Sequence, residues 1–180
     1  MEQKSNLKTQ KIHMLNKTKD LVLIAFLAVI LFLQEEILTF LPNIQLTVFL
    51  LVLYAKKLGF KKTTLIICLH VLFDNLVLGS LNPIYMFFMF IGWMFIPILL
   101  STIFRNVEKS LSLAFCGILF ALLYSWVYLI PNAFIFQIDI RTYFIADIPF
   151  ELLLAASSFL SILWFYAPVA KIFDRYLKAA

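Results

Sequence analysis

The sequence predicts an all-α integral membrane protein, a bundle of six transmembrane helices with both termini in the cytoplasm. Two observations carry that reading. Hydrophobic residues make up 63% of the chain and charged residues only 14%, a balance far from that of a soluble globular domain. The Lys and Arg residues, 15 against 10 acids, gather between apolar runs and not along them, which argues against a nucleic-acid surface. Three regions follow: a basic cytoplasmic segment 1–20, a membrane domain 21–170 and a cytoplasmic tail 171–180.

A membrane helix needs roughly 20 apolar residues, because no water is present to satisfy its backbone amides. Segments 21–40, 44–58, 63–78, 84–104, 111–130 and 150–170 meet that need, the second and third being short. Pro42-Asn43, Gly59, Gly79-Ser80, Asn82-Pro83, Arg105-Asn106 and Pro131-Asn132 mark the breaks between them. The first run is followed by Gln34-Glu35-Glu36 and not by a small-residue cleavage site, so it is expected to stay as a helix. Pro97 is expected to kink the fourth. Lys4, Lys8, Lys11, Lys17 and Lys19 precede the first run. Lys56, Lys57, Lys61 and Lys62 divide the second from the third, Arg105 and Lys109 follow the fourth, and Lys171, Arg175 and Lys178 close the chain. The alternate connections hold one basic residue, Arg141. The positive-inside rule then places both termini and the basic connections in the cytoplasm, in a cell membrane.

Ionisable groups at membrane depth are costly and are retained for function or for mutual pairing. Here they fall toward the outer ends of the predicted helices: Glu35, Glu36, His70, Asp74, Asn75, Asp147 and Glu151, with Asn43, Gln45, Asn82, Tyr85, Asn132 and Arg141 in or beside the outer connections. His70 and Asp74 lie one helical turn apart and share a face, as a ligand contact or as a self-satisfied pair. Neighbouring Glu35 and Glu36 point different ways, so one at most is expected to enter a pocket, and Glu36 is taken as that one. Asp147, Pro149 and Glu151 have the look of a helix start. The connection from 131 to 149 is long and lacks glycine, which predicts a structured lid, and Arg141 in it is available to Asp139, to Asp147 or to a substrate anion, an internal ion pair being the expected outcome. Trp93, Tyr124, Trp126 and Tyr128 offer stacking surfaces, although aromatic residues in so phenylalanine-rich a chain are expected mostly to pack or face lipid. Cys68 and Cys116 sit alone in apolar runs without metal or redox spacing, and packing is the expected role. No phosphate-binding glycine loop occurs, so active transport would need partners.

The segments Leu41-Pro42-Asn43-Ile44-Gln45-Leu46 and Ala146-Asp147-Ile148-Pro149-Phe150-Glu151, set in this helical pattern, resemble those of the substrate-binding (S) components of energy-coupling-factor (ECF) vitamin transporters. The resemblance spans the membrane region. It implies capture of a vitamin or related micronutrient outside, by Glu36, Asn43, Gln45, His70, Asp74, Asn75, Tyr85, Trp93, Asn132, Arg141, Asp147 and Glu151. It further implies delivery by toppling against a transmembrane coupling subunit, driven by two ATPase subunits. In that family small residues on the first helix meet the coupling subunit; here Ala25, Ala28 and Val29 stand in that region, spaced differently from the family's alanines four apart. No cofactor and no resident metal is implied, and the partners are these subunits, the small molecule and membrane lipid. The excess of carboxylates points to a ligand rich in donors or positive charge, with cobalamin, thiamin-like pyrimidines and other heterocycles open. Two rival readings are an intramembrane CAAX-type protease, suggested by Glu35-Glu36 with His70, and a membrane assembly factor whose outer polar groups pair only with one another.

Overall fold

The computed structural model describes the backbone of residues 2–77 and 81–179 and the side chains of 17–77 and 81–178. The expected break at Gly79-Ser80 and the side chains of Lys4, Lys8, Lys11 and His13 lie outside those residues. Every element is helical: α1 (Glu2–Leu38), α2 (Thr47–Val77), α3 (Pro83–Ser101), α4 (Ser110–Val127), α5 (Leu129–Phe134) and α6 (Ile140–Ala179). Four stretches are long and apolar enough to cross a membrane: Lys17–Leu38, Pro83–Ser101, Ser110–Phe134 and Ile140–Lys178.

The second helix is two arms, 47–58 and 60–77, joined at Gly59, whose φ of 80° and ψ of 175° fall in a region that only glycine occupies without strain. The arms fold back on each other. Glu35 of α1 touches both Thr47 on the first arm and His70 on the second, so those two positions lie side by side. Thr63 opens the second arm by donating its hydroxyl to the Gly59 carbonyl at 2.9 Å. The first arm is the centre of the molecule: Thr47 through Tyr54 are all buried, so this short helix is covered on every side. Around it pack Ile24, Leu27 and Leu31 of α1, Ile66, Ile67 and Val71 of the second arm, Trp93 and Ile96 of α3, Phe120 of α4, and Ile162 and Tyr166 of α6.

Lysines at the arm junction tie two other helices and the chain after α3 to it. Lys56 donates to the Phe104 and Arg105 carbonyls beyond α3 at 3.0 and 3.1 Å. Lys57 pairs with Asp174 of α6 at 2.8 Å, and Lys62 with Asp20 of α1 at 2.6 Å. Residues read from the sequence as orientation signals therefore also clamp one end of the bundle. Close packing at mid-depth uses Gly117 of α4, where an added Cβ would lie 2.5 Å from Ile162 Cδ1 of α6.

Three expectations change. The 131–149 connection is ordered, but mostly as helix: α5 takes its start and α6 begins at Ile140. Asp139 caps α6, accepting from the Thr142 backbone N–H and hydroxyl, both at 2.8 Å. Asp147, Pro149 and Glu151 thus lie inside a helix and do not begin one. Asp139 is fully exposed, and the Thr142 bonds hold its carboxyl below the usual carboxylate range. Ala28 is wholly buried between α1 and the core, so it is no contact for a partner subunit, whereas Ala25 and Val29 face outward. The helical period explains the split, since Ala28 falls on the stripe of Ile24, Leu27 and Leu31. The expected Arg141 ion pair is absent among the described residues: Arg141 is exposed, and the Asp139 carboxylate is engaged with Thr142.

Because the space at Gly59 is open, Gly59→Ala is a backbone test: it should destabilise the protein by about 1–3 kcal/mol through the positive φ alone. A thermal melt of the purified variant in detergent reads this as a lower midpoint, and an unchanged midpoint would refute the role assigned to the turn.

Candidate functional site

At the end of the bundle opposite the lysine clamp, α1 stops at Leu38 and the chain turns through 39–46 before re-entering as the first arm of α2. Asn43 takes φ 56°, a left-handed conformation that asparagine tolerates, and its carbonyl accepts a 3.4 Å bond from the Ser157 hydroxyl of α6. The turn is thereby held over the bundle. Beneath it lies a cavity of about 310 Å³ lined by Glu35, Glu36, Leu38, Thr39, Leu41, Pro42, Asn43, Ile44, Gln45, Asp74, Met89 and Tyr124.

Thr47, buried behind the lining residues Glu35 and Gln45, is the hub that joins them. Its hydroxyl accepts from Gln34 Nε2 at 2.7 Å and donates to the Glu35 carboxylate, with Gln45 Oε1 a second acceptor at 3.1 Å. Gln34 completes the brace by accepting from the Leu46 backbone N–H at 2.7 Å. The other Glu35 oxygen lies 3.4 Å from His70 Nε2. His70 is wholly buried, and although that distance is within ion-pair range, neither ring nitrogen is aligned for a hydrogen bond. The imidazole's acidic neighbour is therefore Glu35 on another helix, not Asp74 one turn away. Behind the cavity wall the Trp93 ring stacks on Tyr124 with centroids 3.7 Å apart, and Trp93 Nε1 is buried without a hydrogen-bond partner. Gly92 makes room for this stack, since an added Cβ would meet the Tyr124 ring at 2.7 Å.

Of the residues predicted from sequence, Glu36, Asn43, Gln45 and Asp74 line the cavity. His70 and Trp93 stand behind it. Asn75 is occupied within the bundle, donating to the Val71 carbonyl at 2.8 Å and contacting Met89 Sδ at 3.5 Å. Tyr85 donates to Asn132 at 3.0 Å and stacks on Phe136, while Asn132 donates to the Tyr128 carbonyl at 2.7 Å. Tyr128 in turn lies 3.2 Å, hydroxyl to hydroxyl, from Tyr124. That polar chain leads to the cavity wall without opening into it. Asn82 serves as the N-cap of α3, accepting from Ile84 N at 3.0 Å. Arg141, Asp147 and Glu151 are not brought to the cavity; Glu151 is buried on α6 beside Trp126.

Glu35 was expected to be solvated if Glu36 faced inward, yet both line the cavity. The cavity lies across the end of α1, where the folded-back turn meets a wider arc of the helix than one stripe. Gln34, Thr47 and Met89 had no place in the sequence reading of the site, whereas Glu35 stood there as the alternative to Glu36 and Tyr124 as one of four aromatic stacking surfaces. A signal for Gln34 and Glu35 was present: the buried stripe 24, 27, 28, 31 continues to them at helical spacing.

A second hollow, of about 280 Å³, lies between α1 and the end of α6, lined by Val22, Phe26, Ile30, Ile172 and Phe173 among others. It contains no charged side chain. The polar chemistry is thus at the end away from the lysines.

Fold and composition define the class: an all-helical protein whose apolar helices are built for a membrane. No protein-family model, curated protein or solved structure matches the chain.

Thr47→Val keeps the side chain's shape but removes the hydroxyl that holds Gln34 and Glu35. The expected loss is about 1–3 kcal/mol of stability, because two partly buried polar groups lose a partner. Chemical denaturation in mixed micelles checks it, and a wild-type midpoint would show that the hub is not needed.

Proposed function

We propose that this chain is the substrate-binding subunit of an ECF-type importer: a six-span bundle with both termini in the cytoplasm that captures a vitamin or related micronutrient at the outer face. The observation that carries the reading is the cavity of about 310 Å³ at the end of the bundle opposite the lysine clamp. Under the positive-inside rule the clamped end is cytoplasmic, so the cavity opens outward. The six spans are α1, the two arms of α2, α3, α4 and α6. Contacts between helices support their alternation: Asp20 and then Glu35 on α1 meet Lys62 near the start of the second arm and His70 further along it, and Lys56 meets the chain just after α3. The size of the cavity favours a one- or two-ring heterocycle over cobalamin, since it lies at the low end of the roughly 300–1,000 Å³ usual for small-molecule sites.

Delivery requires a transmembrane coupling subunit with two ATPase subunits. The α1 surface available to it carries Ala25 and Val29, flanked by Val22 and Phe26. Small side chains let another helix approach closely in lipid, where packing drives association. The 39–46 turn, tied to α6 through Asn43 and Ser157, is the element that would cover the ligand.

Small molecules released from the gently purified protein, measured by mass spectrometry and returned in a binding titration, test the reading. A vitamin-like compound that rebinds at one per chain is the expected result. Release of nothing, with cleavage of a membrane peptide instead, would replace it with the protease reading.

On α1, Ala25→Trp should abolish uptake in cells carrying the coupling module while leaving ligand binding unchanged. Ala28→Leu should instead lower the melting midpoint, because overpacking the core costs about 1–3 kcal/mol. Equal effects of the two on stability would remove Ala25 from the proposed interface.

A further inference from the structure

We infer that the outer cavity binds a small heterocyclic organic cation, its charge held among Glu35, Glu36 and Asp74 and its ring against Met89 and Tyr124; the biological meaning of this rests on the importer reading above. Three carboxylates share the lining, and no Lys or Arg is among the lining residues. A protonated His70 would balance one of them, through its 3.4 Å approach to Glu35, and would leave two uncompensated. A ligand seated among these part-exposed carboxylates would cut them off from water, which is costly without a counter-charge, and the lining side chains include no Lys or Arg to supply one.

A second feature points the same way. His70 is wholly buried, both its ring nitrogens lack hydrogen-bond partners, and Nε2 is directed at the Glu35 carboxylate on the cavity wall. It supports Glu35 from behind without the alignment that would satisfy the facing oxygen; Thr47 engages the other oxygen, so one of the two is left for a ligand.

The chemistry favours an organic cation over a bare metal ion. Among the described residues no group of three or more His, Cys, Asp or Glu side chains is placed to hold a metal. The volume far exceeds that of an ion, and Met89 and Tyr124 supply polarisable surface suited to a ring bearing charge. Asn43 and Gln45 add amide carbonyls for ring amino groups.

Three probes of one ring and similar size separate charge from shape: 1-methylnicotinamide, a fixed cation; nicotinamide, neutral; and nicotinate, an anion. Calorimetric titration of each into the purified full chain in detergent should give binding for the cation at least about tenfold tighter than for the neutral ring, with nicotinate weakest. Asp74→Asn and Glu36→Gln, both near-isosteric, should each weaken cation binding by about 10- to 100-fold and narrow the discrimination. Asp139→Asn, at the exposed cap of α6, should leave it unchanged. Equal or tighter binding of nicotinamide or nicotinate, no binding of any probe, or indifference to Asp74→Asn would overturn the inference. Those outcomes leave the importer reading intact, since it is judged by ligand release; cation-selective binding with no released ligand would do the reverse.

Discussion

The turn at Gly59 is the constraint on which the rest of the structure depends. A helix carrying Lys56, Lys57, Lys61 and Lys62 in its middle cannot run straight through an apolar layer without burying those charges. Reversal at a glycine with positive φ sends both arms back from the charged end, and the lysines become ties to α1, α6 and the chain after α3. Part-exposed ion pairs of this kind contribute little individually, so they fix where the helix ends meet more than how strongly they cohere.

What that reversal does at the far end is to place Thr47 beside His70. Only there can a single residue of α1, Glu35, reach both arms. This partly buried carboxylate is tolerated because Thr47 donates to it and Gln34 braces Thr47, so one polar cluster satisfies most of its own needs. His70 and Trp93 are the exceptions, each with buried nitrogen lacking a hydrogen-bond partner. Both stand directly behind residues of the cavity wall, Glu35 and Tyr124. Ser158 Oγ on α6 is buried without a partner as well, so two of the three such residues among those described stand behind the candidate site.

The aromatic and amide chain from Tyr85 through Asn132 and Tyr128 to Tyr124 links α3, α5 and α4 to that wall. It gives α5 a role that the connection's length alone did not indicate, which is to anchor the region between α4 and α6 against Tyr85. The 39–46 turn has a lighter attachment, through Ser157 and Gln34. The two sides of the cavity thus differ: one is braced by rings, the other by a turn with fewer ties.

The all-helical class, the reversal at Gly59 and the concentration of polar groups at one end were determined by the sequence alone, because hydropathy, glycine and charge act locally and periodically. The buried stripe of α1 also runs legibly from Ile24 through Leu31 to Gln34 and Glu35. Tertiary structure decided which polar residues converge. Asp74 and Glu36 reach the cavity while Arg141, Asp147 and Glu151 do not, and His70 meets Glu35 across helices in place of Asp74 along its own. It also decided that α6 starts at Asp139, where a local cap prevailed over the proline and acids ten residues on. The physical reason is the same in each case: spacing along one helix fixes a face, but only the rotation and depth of neighbouring helices determine what that face meets.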